Sequence, residues 1–344
     1  MPSAKRALPL LLVIFNPATA PPAPQHSFDR WVIAHNITYA TEGELQQRRE
    51  TFAANAALIA AHNAAEDAAS HGKGKGYRLG VGPFADLTNA EFKALRGSPY
   101  VPRSEREQVA PVGEAQCGSD DDDSAAALAG TGGDLYAPVL DWRAQGAVTP
   151  VKQQGTCGAC WSFSATGAIE GAWRIFGPNK TLVSLSEQEL MDCSPKNNGC
   201  NGGNPYYAFQ YVKDNHGLDT EADYPWVGKQ GACDGRGAAR HVATVGAACD
   251  VAREDETALV KAVTRQPVAV ALEGTSVAFQ HYASGVLHQE GNCGEAINHA
   301  VLFIGYGTDA GVNYWIAKNS WGERWGEAGY IRIAQGENVP AGVW

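Results

Sequence analysis

The chain has 344 residues, long enough for two sizeable units that each bury a core. Its 44% hydrophobic and 19% charged content is that of a globular protein. A net charge of −10 leaves no basic stripe to neutralise phosphates, which excludes nucleic acid as an expected partner.

Lys5 and Arg6 precede an apolar run from Ala7 to Phe15, and Ala18-Thr19-Ala20 follows. That is the order of a signal peptide over residues 1–20, and the run is too short to cross a bilayer. No later stretch reaches about 18 apolar residues, so no membrane partner is expected. Residues 28–63 read as helix in two amphipathic series, one from Phe28, Trp31 and Val32, the next through Leu45, Phe52, Leu58 and Ile59. Gly72 to Gly76 breaks the pattern, Tyr77 to Val81 alternates like a short strand, and Leu87 to Phe92 restarts a helix capped by Thr88 or Asn89. Prolines, alternating charges, Asp120 to Asp123 and a Gly/Ala tract make residues 98–136 a linker that buries no core.

From residue 137 the character changes. Ser162 to Phe176 is a helix of small and apolar residues ended by Gly177-Pro178. Leu185 to Leu190 and Tyr206 to Lys213 are shorter helices. Beyond about residue 240, Pro267–Leu272, His299–Tyr306, Asn313–Lys318 and Gly329–Ile333 are β-branched and aromatic runs bounded by glycines, hence strands. Helices first and strands second predict an α+β protein with its active cleft between two halves.

Cys160 is the candidate nucleophile. It stands where the first long helix of this region begins, so unpaired N–H groups and the helix dipole favour its thiolate. The Cys157-x2-Cys160 pair resembles a redox or zinc half-site, but no second such pair follows and no metal is expected. His299 and Asn319 lie 139 and then 20 residues further on, a spacing suited to meeting across a fold. His299 can stabilise the thiolate and protonate a leaving amine; Asn319 can orient the ring by accepting its N–H. Gln154 can donate its amide to an oxyanion beside the Cys160 backbone N–H. Trp321 can shield the His–Asn hydrogen bond from water. Eight cysteines behind a signal peptide imply disulfides.

Glu44, Arg48, Phe52, Asn55, Ile59 and Asn63 match an interspersed helix signature, and Gly80-Val81-Gly82-Pro83-Phe84-Ala85-Asp86 resembles a second one with Gly82 in place of Asn. With Asp141-Trp142-Arg143, Gly146 to Lys152, Ser186-Glu187-Gln188 and Cys200-Asn201-Gly202-Gly203, the chain resembles a papain-family cysteine peptidase precursor of the cathepsin L-like branch. The resemblance implies a two-lobed fold, a helical left lobe against a β-barrel-like right lobe, preceded by a helical inhibitory prodomain over 27–97. Activation cleavage falls in the linker near residues 134–138, and the peptidase domain runs from 137 to 344. Cys160, His299, Asn319 and Gln154 become the catalytic set. Gly202, Gly203, Asn204, Pro205, Ala271, Ile297, Ala300 and Trp321 become the substrate-binding set, with an apolar pocket favouring Leu or Phe at the second position upstream of the cut.

By the same resemblance, Cys157 pairs with Cys200 and Cys193 with Cys233. The partner of Cys293 would lie where Trp344 stands, so a C-terminal truncation is expected, with Cys249 as a substitute partner. The expected partners are protein and peptide substrates and the chain's own prodomain; the expected state is a monomer without cofactors. The expected location is the secretory pathway, ending extracellularly or in a lysosome or vacuole. Acid is expected to activate the zymogen as carboxylates such as Asp86 lose partners across the prodomain interface. Two other readings exist: an acyl-transfer ligase using the same site, and a non-catalytic inhibitor or binding homologue whose support is the truncation. Asn36-Ile37-Thr38 and Asn179-Lys180-Thr181 permit N-glycans.

Overall fold

A computed structural model describes residues 24–69, 76–102, 139–235, 240–251, 255–288 and 296–336. The signal peptide, the activation region near 134–138, Cys117 and Cys293 lie outside the described residues.

The N-terminal unit is two crossed helices and a tail. Helix α1 (Pro24–His35) sets Phe28 and Trp31 against Phe52 on α2 (Glu42–Ala69), with Ala85 completing the cluster. The polar members of the helix signature fix the backbone that follows. Asn55 Nδ2 donates to Ala85 O and Leu87 O at 2.8 and 2.9 Å, and Arg48 donates to Asp86 O and Glu91. Asn63 both donates to Leu79 O and accepts from Leu79 N–H, standing in for a neighbouring strand beside β1 (Arg78–Leu79). Helix α3 (Asn89–Arg96) starts on a full capping box, Thr88 with Glu91, as the sequence predicts.

The C-terminal unit opens with β2 (Leu140–Asp141) and is built around α4 (Cys160–Phe176), which is buried along its first three turns. Small residues let a sheet approach that helix: a Cβ on Gly167 would sit 2.7 Å from Leu302, and one on Gly171 2.5 Å from Pro267. Helices α5 (Glu187–Cys193) and α6 (Pro205–Asp214), capped by Ser186 and Asn204, pack with α4 around Trp161, Ile169, Leu190, Met191 and Val212. The second half contains α7 (Glu256–Arg265), β3 (Val268–Leu272), α8 (Val277–His281), β4 (Tyr282–Ser284), β5 (Val286–Leu287), β6 (His299–Asp309), β7 (Val312–Lys318) and β8 (Tyr330–Ala334). The sheet order is β2-β6-β7-β8-β5, with β3 also paired to β6.

Among the described residues this sheet is open. β5 ends it by pairing in parallel with β8, while β2 and β3 pair with β6 at the other side, so the barrel-like lobe expected from sequence is instead an unclosed sheet. The short elements α7, α8, β4 and β5 were not legible in the residue pattern. Strand β1 pairs with β4, and Phe84 and Phe92 enter the same hydrophobic cluster as the sheet, so one core continues from the N-terminal unit into the second half. Among the described residues no helix is long and apolar enough to cross a membrane.

Candidate active site

Cys160 is the first residue of α4, and among the described residues it is the free cysteine. Cys157 is bonded to Cys200 and Cys193 to Cys233; Cys249 is also disulfide-bonded. The Cys160 sulfur is approached by the backbone N–H groups of Ala300, Trp161 and Cys160 itself, and the Ser98 hydroxyl lies near it but gives its proton to Gly158 O. Those donors favour a thiolate, the behaviour of a helix N-terminus.

His299 opens β6, and its Nε2 lies 2.9 Å from Asn319 Oδ1. The same Oδ1 accepts the Ser320 backbone N–H at 2.8 Å, which identifies that atom as the oxygen. Nε2 therefore carries a proton, and Nδ1 is the basic nitrogen of the neutral ring. Nδ1 is buried and has no hydrogen-bond partner. Trp321 covers the pair, its ring 4.6 Å from the imidazole, and is itself buried.

Gln154 is fully buried, and its amide is clamped at both ends. Nε2 donates to Cys157 O at 2.7 Å, and Oε1 accepts from Ser320 Oγ at 2.6 Å. One N–H of Nε2 remains for an oxyanion. Ser320 was missed by sequence reasoning, although it follows Asn319 directly; its backbone serves Asn319 and its hydroxyl serves Gln154.

The N-terminal unit closes this site. Phe84 and Phe92 meet the Trp321 ring edge-on, each at 5.5 Å between centroids. The Arg96 guanidinium lies over Phe84 at 4.5 Å and donates to Gly155 O. Beyond Gly97 the chain runs through the cleft. Ser98 N–H donates to Asn298 O and Ser98 Oγ to Gly158 O; Val101 N–H donates to Gly203 O; Asn204 Nδ2 donates to Val101 O and to the Tyr100 hydroxyl. Tyr100 bridges Gly203 in the parallel sense. Gly202, at φ 106°, is needed because any Cβ there would run into the Pro99 carbonyl.

Of the other residues expected to bind substrate, Ala271 and Ala300 face each other across β3 and β6, Pro205 is the first residue of α6, and Ile297 is half-buried just before His299. Trp321 is different: its described ring contacts are with His299 and with Phe84, Phe92, Phe279 and Trp325.

Cover changes the chemistry. Burial pushes the Cys160 thiol up to about 11, against the pull of its N–H donors. Burial also pushes His299 down to about 4; the Asn319 bond opposes this and Arg96 reinforces it. Between those values both the thiol and the ring of the closed site are neutral.

Beneath it, between the two halves, lies a buried ionic network that sequence reasoning also missed. Lys152 Nζ reaches Glu170 at 3.2 Å and Glu187 at 2.7 Å; Thr149 joins Glu170 to Lys318; Thr166 bonds Glu187 at 2.5 Å. A cavity of about 20 Å³ is lined by Lys152, Glu170, Glu187 and Lys318 and by Asn319 and Ser320.

A profile described as papain family cysteine protease matches residues 136–343, and one described as cathepsin propeptide inhibitor domain matches 28–92. Cysteine proteinase COT44 of Brassica napus is 42% identical over 309 residues, covering 88% of both chains. The probable cysteine protease RD21B of Arabidopsis thaliana is 39% identical over 320 residues, 92% of this chain but 63% of the relative. A second Arabidopsis relative is covered to 62%, so the chain spans under two thirds of the length of these two. Among solved structures, a recombinant stem bromelain precursor superposes with TM-score 0.78 at 35% identity over 93% of this chain and 95% of that one. A digestive procathepsin L 3 of Tenebrio molitor gives 0.75 at 34% identity over 93% and 98%.

Proposed function

Because this chain belongs to the papain family of cysteine proteases, we propose that it is made as a zymogen and hydrolyses peptide bonds through Cys160, His299 and Asn319 once its N-terminal unit leaves the cleft. The observation that carries the reading is the buried imidazole whose Nε2–H is held by Asn319 while Nδ1 is left without a partner in a site built around a free cysteine.

In the proposed reaction the Cys160 thiolate attacks the scissile carbonyl carbon and a C–S bond forms. The oxyanion takes hydrogen bonds from Gln154 Nε2 and the Cys160 backbone N–H, worth on the order of 100- to 1,000-fold each. His299 Nδ1, having taken the Cys160 thiol proton, passes it to the departing amine as the C–N bond breaks, leaving a thioester. Water, deprotonated by His299, then attacks the thioester and releases the acid and the thiol.

The proposed division is a prodomain over 27–97, a linker with the activation cut over 98–136 and a peptidase domain over 137–344. Inhibition by the prodomain has two parts. The tail fills the strand-pairing groove at Gly203 and Asn204, and its cover keeps the catalytic pair neutral. The tail residues at that groove lie C-terminal to Ser98, whereas a substrate would place residues N-terminal to its cut there, so the tail runs in the uncleavable sense. In the pocket proposed from Asn204, Pro205, Ala271, Ile297 and Ala300, the apolar lining favours Leu or Phe at the second position upstream of the cut; a peptide series ranking Arg above both contradicts this. Passage through the secretory pathway, to the exterior or to a lysosome or vacuole, belongs to the same proposal.

The test is labelling by a thiol-directed epoxide after incubation at about pH 4–5 and at pH 7. Acid-treated wild type takes the label and Cys160→Ser does not. Labelling of the folded protein that is indifferent to Cys160 overturns the reading. The alternative of a non-catalytic inhibitor or binding homologue lacks support, since nucleophile, base and orienting amide are all in place.

A further inference from the structure

Helix α4 ends at Gly177, and the chain reverses through Pro178 and Asn179, closed by the Lys180 N–H donating to Gly177 O at 3.2 Å. Glycine fits the first position because a Cβ there would lie 2.9 Å from the Trp173 ring. Asn179-Lys180-Thr181 is an N-glycosylation acceptor triplet, and all three residues are exposed. Lys180 takes φ 47°, which brings the Thr181 hydroxyl round to donate to the Asn179 carbonyl at 3.3 Å. Three residues before Asn179 stands Phe176, 62% exposed at the end of a helix that is otherwise largely buried, and unused by the proposed mechanism.

We infer that Asn179 carries an N-linked glycan whose first sugar stacks on the Phe176 ring. This goes beyond the proteolytic reading and rests on one part of it, passage through the secretory pathway. A pyranose presents one face of C–H groups, and the face of an aromatic ring is weakly negative, so stacking removes two apolar faces from water at little conformational cost. In the transfer, Asn179 Nδ2 bonds the anomeric carbon of an oligosaccharide carried on a lipid pyrophosphate. The bond from that carbon to the pyrophosphate oxygen breaks, the lipid pyrophosphate leaves, and Nδ2 gives up one proton.

The position is compatible with function. Seventeen residues of helix separate the sites by about 25 Å, so the glycan sits at the opposite end of α4 from Cys160 and leaves the cleft open. The other acceptor triplet, Asn36-Ile37-Thr38, is an internal contrast: the residue three places before it is Ile33, 79% exposed but without a ring.

The full chain is expressed in insect cells behind its own N-terminus and, in parallel, behind a foreign secretion signal. The first arm tests secretory passage; the second tests the glycan whatever the first shows. Peptide-N-glycosidase treatment is expected to convert Asn179 to Asp in the peptide masses of the secreted protein, and Asn179→Gln to remove that signal. A four-member cycle then reads the stacking. Asn179→Gln lowers the thermal midpoint by about 2–4 °C when Phe176 is present and leaves it unchanged in Phe176→Ala. An unmodified Asn179 in protein secreted behind the foreign signal overturns the site, and equal losses in both backgrounds overturn the role of Phe176.

Discussion

The seam between the two halves of the peptidase is built from buried charges, whereas the seam between prodomain and peptidase is built from rings, backbone pairing and a histidine. In the first, Lys152, Glu170, Glu187 and Lys318 share one network with Thr149 and Thr166. In the second, Phe84 and Phe92 lie on Trp321, β1 pairs with β4, and Gly80 N–H donates to the carbonyl of the buried His281. Acid acts on one group of each, Glu187 and His281, in opposite directions. Burial pushes Glu187 up to about 7, with Lys152 opposing and Glu170 adding. A carboxyl raised in the folded state takes up its proton first there, so Glu187 adds stability as pH falls from about 7 towards the unfolded value. Against burial, Lys152 and Lys318 hold Glu170 below its ordinary value, so it acts in the reverse sense. Burial pushes His281 down to about 4, so the folded chain holds it neutral and loses stability as pH falls from 6.5 towards 4. Of these two groups, acid therefore favours Glu187 in its buried place and disfavours His281 in its own.

Breaking the charged seam has the largest expected effect. Lys152→Met leaves two buried carboxylates facing each other without their shared cation, and the zymogen should lose about 3–5 kcal/mol in urea unfolding at pH 7. The loss should shrink towards pH 5, where Glu187 takes a proton. A loss that is the same at both values contradicts the assignment of Glu187 as the group that titrates.

The docking seam is next. No carboxylate or cation contributes to the environment of His281; burial alone depresses it. The charged side chains on the elements packed against it are committed elsewhere or stand apart: Arg78 of β1 to Asp67, Glu91 of α3 to Arg48, Arg96 of α3 to Gly155, and Arg332 of β8 to Glu327, with Lys93 contributing nothing to its environment. A proton on His281 therefore meets no counter-charge, at a cost that approaches about 3 kcal/mol when pH falls below both its values. His281→Leu should move the midpoint of acid processing to lower pH without altering peptide hydrolysis by the mature enzyme. An unchanged midpoint removes His281 from the release step.

How much of this was legible follows from where each signal lives. Cys160, His299, Asn319 and Gln154 could be named because their chemistry needs those residue types, and the long strands because β-branched runs are period signals. Ser320 was hidden in plain view: serine beside Asn319 reads as a turn until its hydroxyl is seen on Gln154. Lys152 and Glu187 lie in motifs that the sequence matched, but nothing local says that they are buried together with Glu170 and Lys318. His281 ends a helix of five residues, too short to carry a periodic pattern, and its place at the seam shows only in the Gly80 N–H that donates to its carbonyl.

Asp86 shows the same limit from the other side. Sequence reasoning gave it partners across the interface and made their loss the acid trigger, but its hydrogen bond is to Tyr39 at 2.9 Å, and Arg48 donates to its backbone; both belong to the prodomain. Burial also raises its pKa above the usual aspartate value, outweighing the Tyr39 bond. A raised carboxyl is relieved rather than penalised by acid, so its titration adds stability within the prodomain where the trigger needs a weakening across the seam. Asp86→Asn keeps an acceptor for the Tyr39 hydroxyl and removes the titration, and it should shift the processing midpoint by no more than a few tenths of a pH unit, the smallest change of the three. Measured beside His281→Leu under identical conditions, a larger shift for Asp86→Asn would return the trigger to the carboxylate and leave the histidine as a packing residue.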